Sequence, residues 1–105
     1  MHIIYITTSS KKEAIEITRS LLAEKLIACS NIFENITSVY EWEGKIIEKT
    51  EVVIIAKTVK SCVKSIIKHV KSIHSYDCPC VFSIKTKESD SDFTKWVENY
   101  IKLPY

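Results

Sequence analysis

The stretch from Ile36 to Ile55 constrains this chain more than any other, because the only glycine of the sequence, Gly44, lies there between two long runs of strand-forming residues. On the first limb Ile36, Tyr40 and Trp42 share one parity, the pattern of a strand with a single buried face. The second limb ends in Val52-Val53-Ile54-Ile55, a short continuous apolar run of the kind a central strand covered on both faces carries. A left-handed backbone position is cheap only for glycine. Glu41 to Gly44 therefore suits a type I turn closed by a G1 bulge, joining the limbs as a hairpin. Strands over Ser30–Trp42 and Lys45–Lys57 are about twice the usual five or six residues. One small domain does not cover limbs of that length, so the tip projects with Tyr40 and Trp42 on it. Unpaired edges and exposed aromatic rings call for a partner. The hairpin reads as an assembly device.

The 105 residues, 46% of them hydrophobic, fit one domain over 1–105 with one core. A net charge of +2 gives neither a nucleic-acid footprint nor a polybasic membrane anchor, and no apolar run approaches the roughly 20 residues of a membrane span. The first residues enter a strand pattern without a signal-peptide layout, so the expected location is the cytoplasm. In that setting Cys29, Cys62, Cys78 and Cys80 are thiols, core fillers or ligands rather than disulfides.

In chain order, Ile3–Ile6 opens as a short apolar strand. Ser10 with Glu13 is a capping-box pair that starts a helix at about Lys11, and Ala14, Ile17, Thr18, Leu21 and Leu22 form one face of it as far as Lys25. A second helix runs from about Lys60 to Ile73, with Val63, Ile66, Ile67, Val70 and Ile73 as its buried stripe. Lys60, Lys64, Lys68 and Lys71 read as its solvated side, since no aromatic residues interleave with them. Val81–Thr86 is the last strand. Ser89 caps a third helix, with Asp90 and Asp92 at its N-terminal dipole; Phe93, Trp96, Val97, Tyr100 and Ile101 form its stripe, and Pro104 follows its end. The order strand, helix, strand, strand, helix, strand, helix predicts an α+β fold: a ferredoxin-like βαββαβ sandwich with an added C-terminal helix, both main helices on one face of an antiparallel sheet. The last helix either covers the other face or reaches a neighbouring subunit.

Leu22-Ala-Glu-Lys-Leu-Ile-Ala-Cys-Ser-Asn31, Ser38-Val-Tyr-Glu-Trp-Glu-Gly-Lys45, Ala56-Lys-Thr58, Ser72-Ile-His-Ser-Tyr-Asp77 and Phe93-Thr-Lys-Trp-Val97 resemble, in order and over nearly the whole chain, the blocks of the CutA family of divalent-cation tolerance proteins. The resemblance implies a ferredoxin-like subunit in a homotrimer joined through the long hairpins, a link to copper and other divalent cations, and an architecture like that of PII-type signalling proteins. It brings no enzymatic activity. It also carries Cys29 over as a possible ligand position. The chain departs from the family where His74-Ser75-Tyr76 stands for His-Pro-Tyr, and where Cys80 stands for an acidic residue after the proline.

Cys78-Pro79-Cys80 is the sharpest metal candidate. Residues two apart in an extended segment face one way, so both sulfurs can approach one soft ion such as Cu(I), with His74 and Asp77 near in sequence. The alternative is that one cysteine packs in the core and the other only begins a strand. Cys29 is a ligand or a buried hydrophobe, and Cys62 reads as packing. His74 either meets the C-terminal dipole of the second helix or joins the binding candidates Tyr40, Trp42, Lys45 and Tyr76 around a cleft between subunits. Glu41, Glu43 and Glu48 offer oxygens to a hard ion or are plain strand charges. His2 and His69 receive no role. No nucleophile, base and orienting group stand at a recognisable spacing, and one glycine does not make a phosphate loop. Two functions follow: a trimeric protein binding copper or another divalent cation, or a PII-like sensor or scaffold taking a small ligand or partner protein at inter-subunit clefts.

Overall fold

The computed structural model describes residues 1–102 and contains β1 (His2–Thr8), α1 (Lys11–Ala23), β2 (Cys29–Trp42), β3 (Lys45–Thr58), α2 (Val63–Ile73), β4 (Val81–Lys85) and α3 (Ser91–Lys102). The sheet order is β2-β3-β1-β4 with every neighbouring pair antiparallel. This is the α+β ferredoxin-like arrangement with an added C-terminal helix. Pro104 lies outside the described residues.

Strand parity places the core. Ile4 and Ile6 of β1 pair with Ala56 and Ile54 of β3, and Val52 continues that face. Ala14, Ile17 and Leu21 from α1 and Ile66 and Val70 from α2 pack on it, so both helices lie on one side of the sheet. Each such isoleucine or leucine contributes about 1.5–3 kcal/mol when fully buried. α3 packs against β3 outside that cluster and buries Val97 completely. Cys62 packs beside the core, as read from the helix stripe.

The helix ends follow their caps. Glu13 N–H donates to Ser10 Oγ at 3.1 Å, which starts α1 where the capping box places it. The helix stops at Ala23, before Lys25, whose φ of 56° is outside the helical region. For α3 the expected cap is corrected. Phe93 N–H donates to Asp90 Oδ2 at 2.9 Å, so Asp90 fills the role assigned to Ser89, because only the residue directly before the first helical position reaches that N–H.

Two backbone details set the course of the hairpin. Trp42 pairs directly with Lys45, and both intervening residues have positive φ, 52° at Glu43 and 79° at Gly44. This is the signature of a two-residue type I′ turn in place of the expected type I turn with a G1 bulge; its twist matches that of the flanking strands. A bulge occurs further down. Phe33 pairs with Val53 and Ile36 with Glu51, so Glu34 and Asn35, the latter at φ 58°, face Val52 alone. Beyond it the hairpin projects: the chain measures 47 × 28 × 21 Å with a radius of gyration of 14.6 Å, against about 13 Å for a compact chain of this length.

A methyl group on Gly44 meets nothing within 4 Å, so its cost is purely conformational. Gly44→Ala should destabilise the protein by about 1–2 kcal/mol, and Gly44→Asn by less, because asparagine tolerates the left-handed region. An unchanged denaturation midpoint for the alanine variant would contradict the turn geometry.

Candidate functional site

Because Val52 faces the helices, its neighbour Glu51 faces the other way. Lys49 and Ile47 share its parity, and their partners across the hairpin are Ser38 and Tyr40. Tyr40, Trp42, Ile47, Lys49 and Glu51 thus lie on the sheet face turned away from α1 and α2, with Thr7 of β1. Tyr76, Asp77, Cys78 and Cys80 from the α2–β4 loop stand against them and close a cleft of about 630 Å³.

Hydrogen bonds to the backbone hold the loop. Ser75 N–H donates to Glu13 Oε2 at 2.8 Å, Tyr76 N–H to His74 Nδ1 at 3.0 Å, and Thr7 N–H to the Cys80 carbonyl at 3.3 Å. Glu13 Oε1 also accepts from the N–H and the hydroxyl of Ser9, both at 3.0 Å. Burial alone raises the pKa of Glu13, but the hydrogen bonds from Ser75 and Ser9 outweigh it and hold the group at about 2. The buried His74 ring donates from Nε2 to the Thr7 carbonyl at 2.8 Å while Nδ1 accepts from Tyr76. That bonding pattern assigns the neutral Nε2–H tautomer. Both nitrogens are committed, so in this conformation His74 positions the loop and offers no lone pair to a metal.

Inside the cleft, Tyr76 Oη donates to Glu51 Oε2 at 2.8 Å, and the Lys49 ammonium lies 4.3 Å from the centre of the Tyr76 ring. Burial raises the Tyr76 phenol; Lys49 opposes this and Glu51 adds to it. The hydrogen-bonding contact with Tyr76 raises the Lys49 ammonium in turn. Glu51 is only 7% exposed, so a buried carboxylate, a phenol and an ammonium occupy one corner of a hollow whose other walls include Tyr40, Trp42, Ile47 and Asp77.

Six of the residues read from the sequence, Tyr40, Trp42, Tyr76, Asp77, Cys78 and Cys80, line this one cleft. Lys45 does not: it sits beside the turn, while Lys49, on the same face, is the lysine at cleft depth. Cys29 pairs with Lys57 at the level of Ile3. That is four residues, roughly 13 Å, along the sheet from Thr7. Among the described residues no three histidine, cysteine, aspartate or glutamate side chains converge as a metal-ligating group. Glu41, Glu43 and Glu48 are exposed. His69, given no role from the sequence, ties the main helices together through a 2.6 Å hydrogen bond with Ser20. Thr7, Ile47, Lys49 and Glu51 escaped the sequence reading. Their shared alternation along β1 and β3 is the signal, but only strand pairing shows which face it serves.

The family described as CutA1 divalent ion tolerance protein matches residues 2–100. The crystal structure of the divalent ion tolerance protein CutA1 from Ehrlichia chaffeensis is 40% identical, with a TM-score of 0.93, over 97% of this chain and 95% of that one. The structure titled periplasmic divalent cation tolerance protein CutA, from Archaeoglobus fulgidus, is also 40% identical, with a TM-score of 0.92, over 97% of this chain and the whole of that one. The Protein CutA homolog of Xenopus laevis is 37% identical over 92% of this chain, which spans 64% of that relative's length; the figure is 55% for the chloroplastic Protein CutA 1 of Oryza sativa.

Glu13→Gln tests the latch on the loop. Charge-assisted hydrogen bonds of this kind contribute about 1.5–3 kcal/mol, so the variant should melt lower at neutral pH. A depressed folded-state pKa contributes stability that is complete above the ordinary value of 4.5 and is lost as pH falls toward about 2. The two melting curves should therefore converge within that window. A constant gap down to pH 2 would show that the carboxylate is not the latch.

Proposed function

The chain belongs to the CutA1 divalent ion tolerance family, and from that premise we propose that it is a homotrimeric cytoplasmic binding protein, not an enzyme, which takes up copper or another divalent cation and so contributes to divalent-cation tolerance. The observation that carries the assembly is the apolar surface of the hairpin on both faces. Val39 and Ile46 are 61% and 72% exposed on one side, and Tyr40 and Trp42 41% and 62% on the other. β2 is moreover a 14-residue strand at the edge of the sheet, with one row of backbone groups unpaired by any strand among the described residues. A closed ring of three copies covers both liabilities at once, since cyclic symmetry leaves no free edge for further addition. Four free thiols on so small a chain suit a reducing compartment, which supports the cytoplasm.

For the cation, the cleft offers two thiols and the Asp77 carboxylate at its wall. Zinc and similar ions take four or more ligands, and one chain does not bring three together among its described residues. A divalent site on this reading draws its remaining ligands from a neighbouring copy. The alternative, a sensor or scaffold taking a small ligand or partner protein at clefts between subunits, draws support from the aromatic walls and the Lys49–Tyr76–Glu51 corner.

Sedimentation equilibrium at micromolar concentration should give the mass of three chains; a folded monomer would overturn the assembly. Trp42→Ala should weaken association or lower the melting temperature, since truncating a tryptophan covered in an interface typically costs about 3–5 kcal/mol. Calorimetric titration of the trimer with Cu(II), Zn(II) and candidate nucleotides separates the two readings. Nucleotide binding without cation binding would favour the sensor.

A further inference from the structure

We infer that Cys78 and Cys80 form a two-thiolate site for a monovalent thiophilic ion, the cuprous ion, at the wall of the cleft. This rests on the metal-binding reading and narrows it, for these two residues, from a divalent ion to Cu(I).

The two thiols are exposed, stand one residue apart and line the same cleft. The other two cysteines are half-buried elsewhere, Cys62 beside the core and Cys29 far along the sheet. The loop is fastened on both sides of the pair: Ser75 and Tyr76 are held by Glu13 and His74 before it, and the Cys80 carbonyl by Thr7 after it. Pro79 between them fixes its own φ near −65° and narrows the states the pair can sample. Both cysteines therefore line the cleft from a restrained segment rather than from a free loop.

The number of donors selects the ion. His74, the nearest nitrogen ligand in sequence, spends both ring nitrogens on Thr7 and Tyr76. No third ligating side chain converges with the sulfurs among the described residues. Two soft thiolates without a third partner are a poor set for an ion that needs four or six ligands and a good one for Cu(I). Binding forms two Cu–S bonds and releases the two S–H protons to solvent; the copper stays monovalent and no electron is transferred. The bound unit carries one net negative charge. The Lys49 ammonium in the same cleft opposes it, and the aromatic and aliphatic walls of Tyr40, Trp42 and Ile47 limit its hydration.

The test uses the full chain, reduced and kept anaerobic, titrated with Cu(I) against a chromophoric cuprous chelator. The wild type should bind one Cu(I) per chain. The Cys78→Ser/Cys80→Ser variant should bind at least 100-fold more weakly, and Cys29→Ser/Cys62→Ser as tightly as the wild type. Wild-type affinity should rise with pH, by up to about 100-fold per unit, as two protons leave. Cys80→Asp, which removes one sulfur at an exposed position, should lose Cu(I) as fully as the double variant and provides a second probe if the serine pair folds poorly. Equal Cu(I) affinity in the wild type and either Cys80 variant would overturn the site. Titration of the same proteins with Cu(II) and Zn(II) keeps the two claims apart. Divalent binding in all variants with unaltered Cu(I) affinity sinks the thiol pair and leaves the divalent reading standing. Thiol-dependent Cu(I) binding with no divalent binding does the reverse.

Discussion

Glu34 and Asn35 facing Val52 alone decide which way every later side chain of β2 points. Along a strand, parity alone assigns a face, and one extra residue exchanges the faces. Without the bulge, Ile36, Tyr40 and Trp42 would follow Ile32 onto the side of α1 and α2. With it, they join Phe33 on the opposite side, above Lys49, Glu51 and Thr7. The cleft and the exposure of the Tyr40 and Trp42 rings both depend on that one inserted residue. Asn35 can hold it because its short polar side chain tolerates the left-handed region.

The opposite wall is governed by hydrogen bonds rather than by burial. The segment from Ser75 to Cys80 has little apolar anchorage of its own. Glu13 joins the first turn of α1 to the loop, and the neutral His74 ring bridges β1 and the loop. One carboxylate thus serves helix start and site wall together, which explains why its proton is held off to so low a pH. The same geometry commits both ring nitrogens of His74, while Asp77, Cys78 and Cys80 line the cleft.

A domain of this size normally buries its aromatic residues, yet here they are spent on surface features. Phe93, Trp96 and Tyr100 stack in sequence along α3, and Tyr5 stacks on Phe82 of the edge strand β4. The main core is built instead from isoleucine, valine, leucine and alanine between the sheet and two helices. Small aliphatic side chains pack a thin two-layer core without polar atoms to satisfy, and these rings stay partly exposed outside it.

The sequence by itself determined the elements and the fold class. Helical stripes, the Ser10–Glu13 cap, the apolar strands and the long hairpin about Gly44 are written in spacings of two to four residues, within reach of local physical chemistry. The exposed projection of Tyr40 and Trp42 was legible for the same reason, since the hairpin is too long for its domain. The tertiary structure decided what depends on partners distant in the chain. Ladder pairing placed the bulge at Asn35 and chose a type I′ turn, because both depend on how β3 lies against β2. Depth in the cleft selected Lys49 over Lys45 and revealed Glu51, which as a sequence position is only a charge before an apolar run. A bond to Thr7, 67 residues away, showed what holds the His74 ring in place, and no local pattern encodes a contact of that span.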